Sequence, residues 1–201
     1  RLGLLSGVVA LMVGLLTFPL SILADRLGRV RSLVAMAVVW SAATLVCAMA
    51  GSFAQMLVGR IFVGVGEAAY GSVGIALVVS VFPRRLRATL SAAFMAGGLF
   101  GQVLGVSVGS MVAAGHGWRM AFSGIGLAGL VLAVVYALVV REGRISLIAG
   151  HRNTGRERAK ADLRALIASR SVCLAYLGSG LQMLAAGALP AWLPSYFSRV
   201  Y

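Results

Sequence analysis

Six long apolar runs constrain this sequence more than anything else in it. A helix needs about 20 mostly apolar residues to cross a bilayer. Segments of roughly 4–24, 33–51, 54–82, 88–114, 119–140 and 171–197 meet that requirement. Such runs are too long for strands, and an open sheet at membrane depth would leave its backbone groups unsatisfied. The expected fold class is therefore all-α transmembrane, a helical bundle. Composition points the same way, because the 201 residues are 60% hydrophobic and include only 5 acidic side chains against 18 basic ones. A water-facing domain would need far more polar surface.

The basic residues are segregated. The first connection carries Arg26, Arg29 and Arg31, and the third carries Arg84, Arg85 and Arg87. The fifth, residues 141–170, carries Arg141, Arg144, Arg152, Arg156, Arg158, Lys160, Arg164 and Arg170. The alternate connections, 52–53 and 115–118, carry none, with Arg119 at the edge of the second. By the positive-inside rule, loops 25–32, 83–88 and 141–170 are cytoplasmic, which predicts a multi-pass protein of the plasma (inner) membrane. A net charge of +13 is then a cationic inner face near anionic lipid. Nucleic acid is not an expected partner, because no basic stripe interleaved with aromatics is visible.

This orientation puts Arg1 outside, and a missing preceding helix explains that placement simply. Both ends of the sequence read as cut. The expected organisation is a helical bundle over residues 1–140, a cytoplasmic linker over 141–170, and a further helix within 171–201 that starts a second bundle. Alternating charges from Arg156 to Arg164 suit a short amphipathic helix on the inner membrane surface. Cys47 and Cys173 lie inside apolar runs with no metal or disulfide spacing.

The first cytoplasmic loop reads Ser21-Ile-Leu-Ala-Asp25-Arg26-Leu-Gly28-Arg29-Val-Arg31. Asp25 closes its helix where the macrodipole is negative, so it needs a cation. Arg26 and Arg29 are both within reach, and Gly28 permits the tight turn. A simple basic loop with an incidental acid is the plainer alternative.

This loop resembles the signature between helices two and three of the major facilitator superfamily, G-x-L-A-D-R-x-G-R-[KR]. Leu23, Ala24, Asp25, Arg26, Gly28 and Arg29 match; Ser21 replaces the first Gly, and the last basic residue is displaced to Arg31. The resemblance continues through Gly59-Arg60-Ile-Phe-Val-Gly64-Val-Gly66-Glu67-Ala68-Ala69-Tyr70, Phe82-Pro83-Arg84-Arg85-Leu86-Arg87, Gly117-Trp118-Arg119 and Ala191-Trp192-Leu193-Pro194. Together these look like the anion:cation symporter and spinster-like branches. The resemblance implies helices two to seven of a twelve-helix alternating-access transporter, with Asp25 and Arg29 latching the cytoplasmic side.

Arg60 and Glu67 are seven residues apart, nearly two turns and about 10 Å along one helix face. Gly64, Gly71 and Gly74 share that face. Charges at this depth are costly and usually meet a water-filled cavity or a partner. The Arg fork suits a carboxylate or phosphate, and a carboxyl held away from water can take up a proton. A structural ion pair is the alternative. The resemblance implies that Arg60 contacts an anionic small-molecule substrate and that Glu67 is a coupling protonation site, the proton being the coupling ion and no other cofactor being expected. Tyr70 and Gln182, with Tyr176 and Ser179, are further candidates for the cavity wall, although each could equally bond a neighbour.

Gly97, Gly101, Gly105 and Gly109 form a small-residue ridge suited to close helix packing. The superfamily's antiporter signature would overlie residues 97–106, but Gln102 stands where its Pro should be, which counts against a drug:proton antiporter. No nucleophile–base grouping, phosphate loop or metal cluster appears, so an enzyme is not expected. The expected function is proton-coupled symport of a small organic anion. Its rivals are transport of a lysolipid or other amphiphile, and a non-transporting receptor or scaffold.

Overall fold

The computed structural model describes residues 2–140, together with positions 169–171, 174, 178, 196, 197 and 200. The expected linker and the last predicted helix, including Tyr176, Ser179 and Gln182, lie almost wholly outside the described residues. Residues 2–140 fold as α1 (Leu2–Leu27), α2 (Arg29–Ala48), α3 (Phe53–Glu67), α4 (Tyr70–Val81), α5 (Arg84–His116) and α6 (Trp118–Val139). They belong to one compact unit, Arg1–His151. By length and hydropathy they make five membrane-crossing segments, with α3 and α4 forming a single one over Phe53–Val81.

The ends of these helices follow from local chemistry. Gly28 separates α1 from α2 at φ 102°, a conformation that an L side chain rarely adopts. Ser52 caps α3 by accepting from the Gln55 amide, while the Gln55 side chain accepts from the Gly51 amide. This reciprocal arrangement is close to a capping box. Pro83, whose missing N–H costs nothing there, precedes α5. Pro19 sits inside α1, which is nonetheless a single helix over Leu2–Leu27.

The second helix is the centre of the bundle. It packs on α6 and α3, with α1 seated on α3 and with α5 against α6 and α4. Small residues let these helices approach. A Cβ at Gly59 would meet the Cys47 sulfur, one at Gly64 would meet Met12 and Val9, and one at Gly126 would meet Leu45 and the Ser41 carbonyl. Without a hydrophobic drive between helices in lipid, this close van der Waals contact supplies much of the association. Ala24, Leu33, Met36, Ala69 and Val73 form a buried cluster where α1, α2 and α4 meet. Many of the large apolar side chains lie on the outside, among them Leu15, Phe100, Leu132 and Leu138. That distribution suits lipid and not water.

One difference from the sequence expectation matters for function. The predicted helix over 54–82 is interrupted at Ala68–Ala69, where Ala69 turns to φ −113°, ψ 2°. Ala68 and Ala69 are 5% and 0% exposed, so the break is buried in protein. Irregular backbone at membrane depth survives only when protein or a polar cavity satisfies it.

Candidate functional site

The interruption lies near the middle of its membrane segment. Glu67 is the last residue of α3, 14 residues past Phe53 and so about 21 Å along the axis. The freed backbone there is met from α1. Thr17 Oγ1 lies 2.5 Å from the Ala68 carbonyl and 2.5 Å from the Val13 carbonyl, so its single proton is shared between them. One turn further inward, Ser21 and Ser72 are joined hydroxyl to hydroxyl at 2.8 Å. Ser72 also reaches the Ala69 carbonyl at 3.0 Å, and Ser21 the Thr17 carbonyl at 2.6 Å.

A third rung closes the contact at the Gly28 loop. Arg29 Nε donates to Asp25 Oδ1 at 3.0 Å while its Nη1 donates to the Ala76 carbonyl of α4, also at 3.0 Å. Of the two cations within reach of Asp25, Arg29 is the one that pairs with it, and Arg26 is exposed. A polar seam therefore runs down the α1–α4 contact from Glu67 to the loop. Thr17, Ser21 and Asp25 are spaced by four on α1, facing Ala68 at the break and Ser72 and Ala76 on α4, which are also spaced by four. The sequence reading missed the seam. Its one available signal was the i, i+4 spacing of the polar residues Thr17, Ser21 and Asp25, and only the pairing with Ala68, Ser72 and Ala76 gives that spacing meaning.

Arg60 and Glu67 form no ion pair with each other. Arg60 Nε donates to the Leu5 carbonyl of α1 at 3.1 Å, which anchors a half-buried side chain near the outer end of the bundle. That bond does not use the two terminal nitrogens, which are the pair that grips a carboxylate. Glu67 is exposed. A Cβ at Gly71, the second residue of α4, would meet nothing within 4 Å among the described residues, so that position keeps its space. Gly64 is instead filled by Met12 and Val9 of α1, and Gly74 by the Phe94 ring of α5. Of the glycines predicted to flank the charged pair, only Gly71 keeps its space.

Tyr70, the first residue of α4, sits in an aromatic cluster. Its ring meets Trp40 edge-on at 4.7 Å and stacks on Phe94 at 6.0 Å. It borders the site as part of the packing that fixes the start of α4. On α5, a Cβ at Gly97, Gly101 or Gly105 would meet nothing within 4 Å among the described residues, and Gly109 faces Ile125 at 3.6 Å. No group of three or more potential metal ligands occurs among the described residues.

The family model for the Major Facilitator Superfamily matches residues 1–201. The sequence is also similar to Protein spinster of Drosophila melanogaster, with 30% identity over 158 residues covering 78% of this chain. That match spans 26% of the length of the fly protein.

Proposed function

This chain belongs to the Major Facilitator Superfamily, and on that premise we propose that it serves proton-coupled symport of a small organic anion by alternating access. The carrying observation is the placement of Glu67. It is an exposed carboxyl at a helix break half-way through the membrane segment, with open space at Gly71 and a hydroxyl seam leading inward. In this reading Glu67 takes up and releases the proton. Arg60, held at Nε and presenting its terminal nitrogens, receives the anion. Asp25 and Arg29 tie the cytoplasmic loop to α4 and latch that side.

The coupling logic is electrostatic. A carboxylate and an incoming anion repel in a low-dielectric site, so protonation of Glu67 favours anion binding at Arg60, and release of one favours release of the other. The protein reconstituted in liposomes under an imposed pH gradient should show anion-dependent proton flux. Glu67→Gln, which fixes the neutral form, should abolish that flux while leaving anion binding. Proton coupling that survives Glu67→Gln would sink the assignment.

The similarity to a spinster protein favours a second reading, in which the cargo is an amphiphile such as a lysolipid. Here Arg60 would take the headgroup and the acyl chain would lie along the apolar helix faces beside it. Competition between sugar acids and lysolipids for one saturable uptake separates the two.

A further inference from the structure

Ala68 and Ala69 interrupt their membrane segment although alanine is the best of the helix formers. The backbone bonds show what the interruption costs. Gly28, Met49, Phe82, Gly117 and Val140 each return an amide to the helix they follow. Ala68, which follows α3, makes no such bond among the described residues. The first bond of α4 joins the Val73 amide to the Ala69 carbonyl at 3.0 Å, one residue too late to use the carbonyl of Ala68. In an unbroken helix that carbonyl would receive the Ser72 amide. Here it receives the Thr17 hydroxyl instead.

Thr17 Oγ1 lies equally far from the Val13 and Ala68 carbonyls, 2.5 Å from each. Its one proton therefore separates two arrangements of similar hydrogen-bond content. Given to Ala68, the proton satisfies the break. Given to Val13, it closes a bond within α1 and leaves the buried Ala68 carbonyl to the Ser72 amide, which requires a continuous helix. The segments flanking the break are held in place. Gly66 lies against the α2 backbone at Trp40 and Met36, and Gly74 lies against the Phe94 ring. The change is thus concentrated at the break. Returning Ala69 from φ −113°, ψ 2° to helical values turns each dihedral by about 45–50°, and Glu67 stands two residues away. A continuous helix would also put Glu67 on the face of Gly64 and Gly74, the positions that α1 and α5 fill.

We propose that Thr17 is a positioning residue for Glu67. By holding the Ala68 carbonyl, its hydroxyl keeps the segment broken and so maintains the exposed placement of the Glu67 carboxyl. Loss of that bond lets residues 68–72 close into one helix and turns the carboxyl toward packed protein. The consequence for coupling rests on Glu67 as the proton carrier; the placement of the carboxyl does not.

Dicyclohexylcarbodiimide, an apolar reagent that modifies protonated carboxyl groups within membranes, reads that placement without any transport. The purified protein in nanodiscs is treated at one fixed pH, and modification of the Glu67 peptide is followed by mass spectrometry, with Glu67→Gln as the zero. One interhelical hydroxyl bond shifts a membrane equilibrium roughly threefold, so Thr17→Val should slow the labelling by about that factor. Thr17→Ser, which keeps the donor, should restore the parent rate. Ala69→Gly disfavours the continuous helix by a factor of about five, and it should also restore labelling in the Thr17→Val background, although glycine adds neither contact nor donor. Unchanged labelling in folded Thr17→Val would overturn the proposal. A loss that Ala69→Gly does not restore would overturn it too, because Thr17 would then act through packing alone. Should Thr17→Val not fold, Ala69→Gly by itself is the test: labelling at or above the parent rate is expected, and a fall overturns the proposal. Proton flux that survives Glu67→Gln would end the symport reading and leave the labelling result standing, so the two fail separately.

Discussion

Thr17 and Ala68, 51 residues apart in sequence, are joined by a hydrogen bond from the Thr17 hydroxyl to the Ala68 carbonyl, and Ser21 and Ser72 meet at the same separation of 51. A constant offset means that α1 and α4 run parallel and in register, each rung one helical turn below the last. The third rung keeps the register through Asp25, whose partner Arg29 bonds Ala76. The break after Glu67 and the Gly28 loop are therefore two ends of one contact. Movement of α4 at one end must be accommodated at the other.

Thr17→Val keeps the shape of the side chain and removes the donor. The Ala68 carbonyl would then be buried with no partner from α1. An unsatisfied buried acceptor costs about 1–3 kcal/mol in soluble proteins, but interhelical hydrogen bonds in membranes average about 0.6, so a loss of roughly 1 kcal/mol is expected. Reversible unfolding in mixed micelles measures it, and Thr17→Ser should restore most of the loss. No change in Thr17→Val would mean that another donor meets the carbonyl.

Gly66 and Gly71 lie either side of the break and should respond oppositely to alanine. A Cβ at Gly66 would sit 2.6 Å from the Trp40 amide nitrogen and 2.9 Å from the Met36 carbonyl, and neither backbone can retreat cheaply. Overpacking of this kind costs about 1–3 kcal/mol. A Cβ at Gly71 would meet nothing within 4 Å among the described residues, so Gly71→Ala should stay within about 0.5 kcal/mol of the parent. Thermal unfolding of the two variants in one detergent is sufficient, and similar losses in both would contradict the packing.

At the end of the bundle opposite the Gly28 loop, Arg119 Nη2 donates to the Ala50 carbonyl at 2.9 Å while the guanidinium lies 4.4 Å from the Trp118 ring centre. This ties the start of α6 to the end of α2. Arg119→Met preserves the stem and loses both contacts, with an expected cost of about 1.5 kcal/mol. Because neither contact involves Arg60 or Glu67, anion affinity should hold while the unfolding midpoint falls.

The sequence revealed the spans because hydrocarbon thickness and backbone satisfaction leave helices few alternatives. It also exposed the Gly28 turn and the need of Asp25 for a cation, both of which are local. The interruption at Ala68–Ala69 was hidden, since alanine is the best helix former and nothing local argues for a break there. A hydroxyl from another helix makes it tolerable, and only tertiary structure supplies that partner. The same limit applied to Gly64 and Gly74. Periodicity correctly gave their spacing, but the break resets the face after Glu67, and neighbours from α1 and α5 fill the space that was expected to be open.

Asp25 and Arg29 allow stability to be separated from function. Their pair is solvent-facing, with the side chains 62% and 35% exposed, so its direct contribution to folding is about 0–1 kcal/mol. Its positional role is larger, because Asp25 orients the guanidinium whose other arm holds the Ala76 carbonyl. Asp25→Asn should leave the unfolding midpoint nearly unchanged. It should also weaken the tie between loop and α4 by about 1 kcal/mol, enough to move a two-state equilibrium about fivefold away from the cytoplasm-closed state. Arg29→Lys keeps the charge but lacks the two-armed geometry, so it should behave like Asp25→Asn and not like the parent. Labelling of a cytoplasmic-side cysteine by an impermeant thiol reagent reads the open population. Uptake measured in parallel should fall in both variants. Unchanged labelling in both would show that the rung is only a surface ion pair, and the latch would then have to lie elsewhere in the protein.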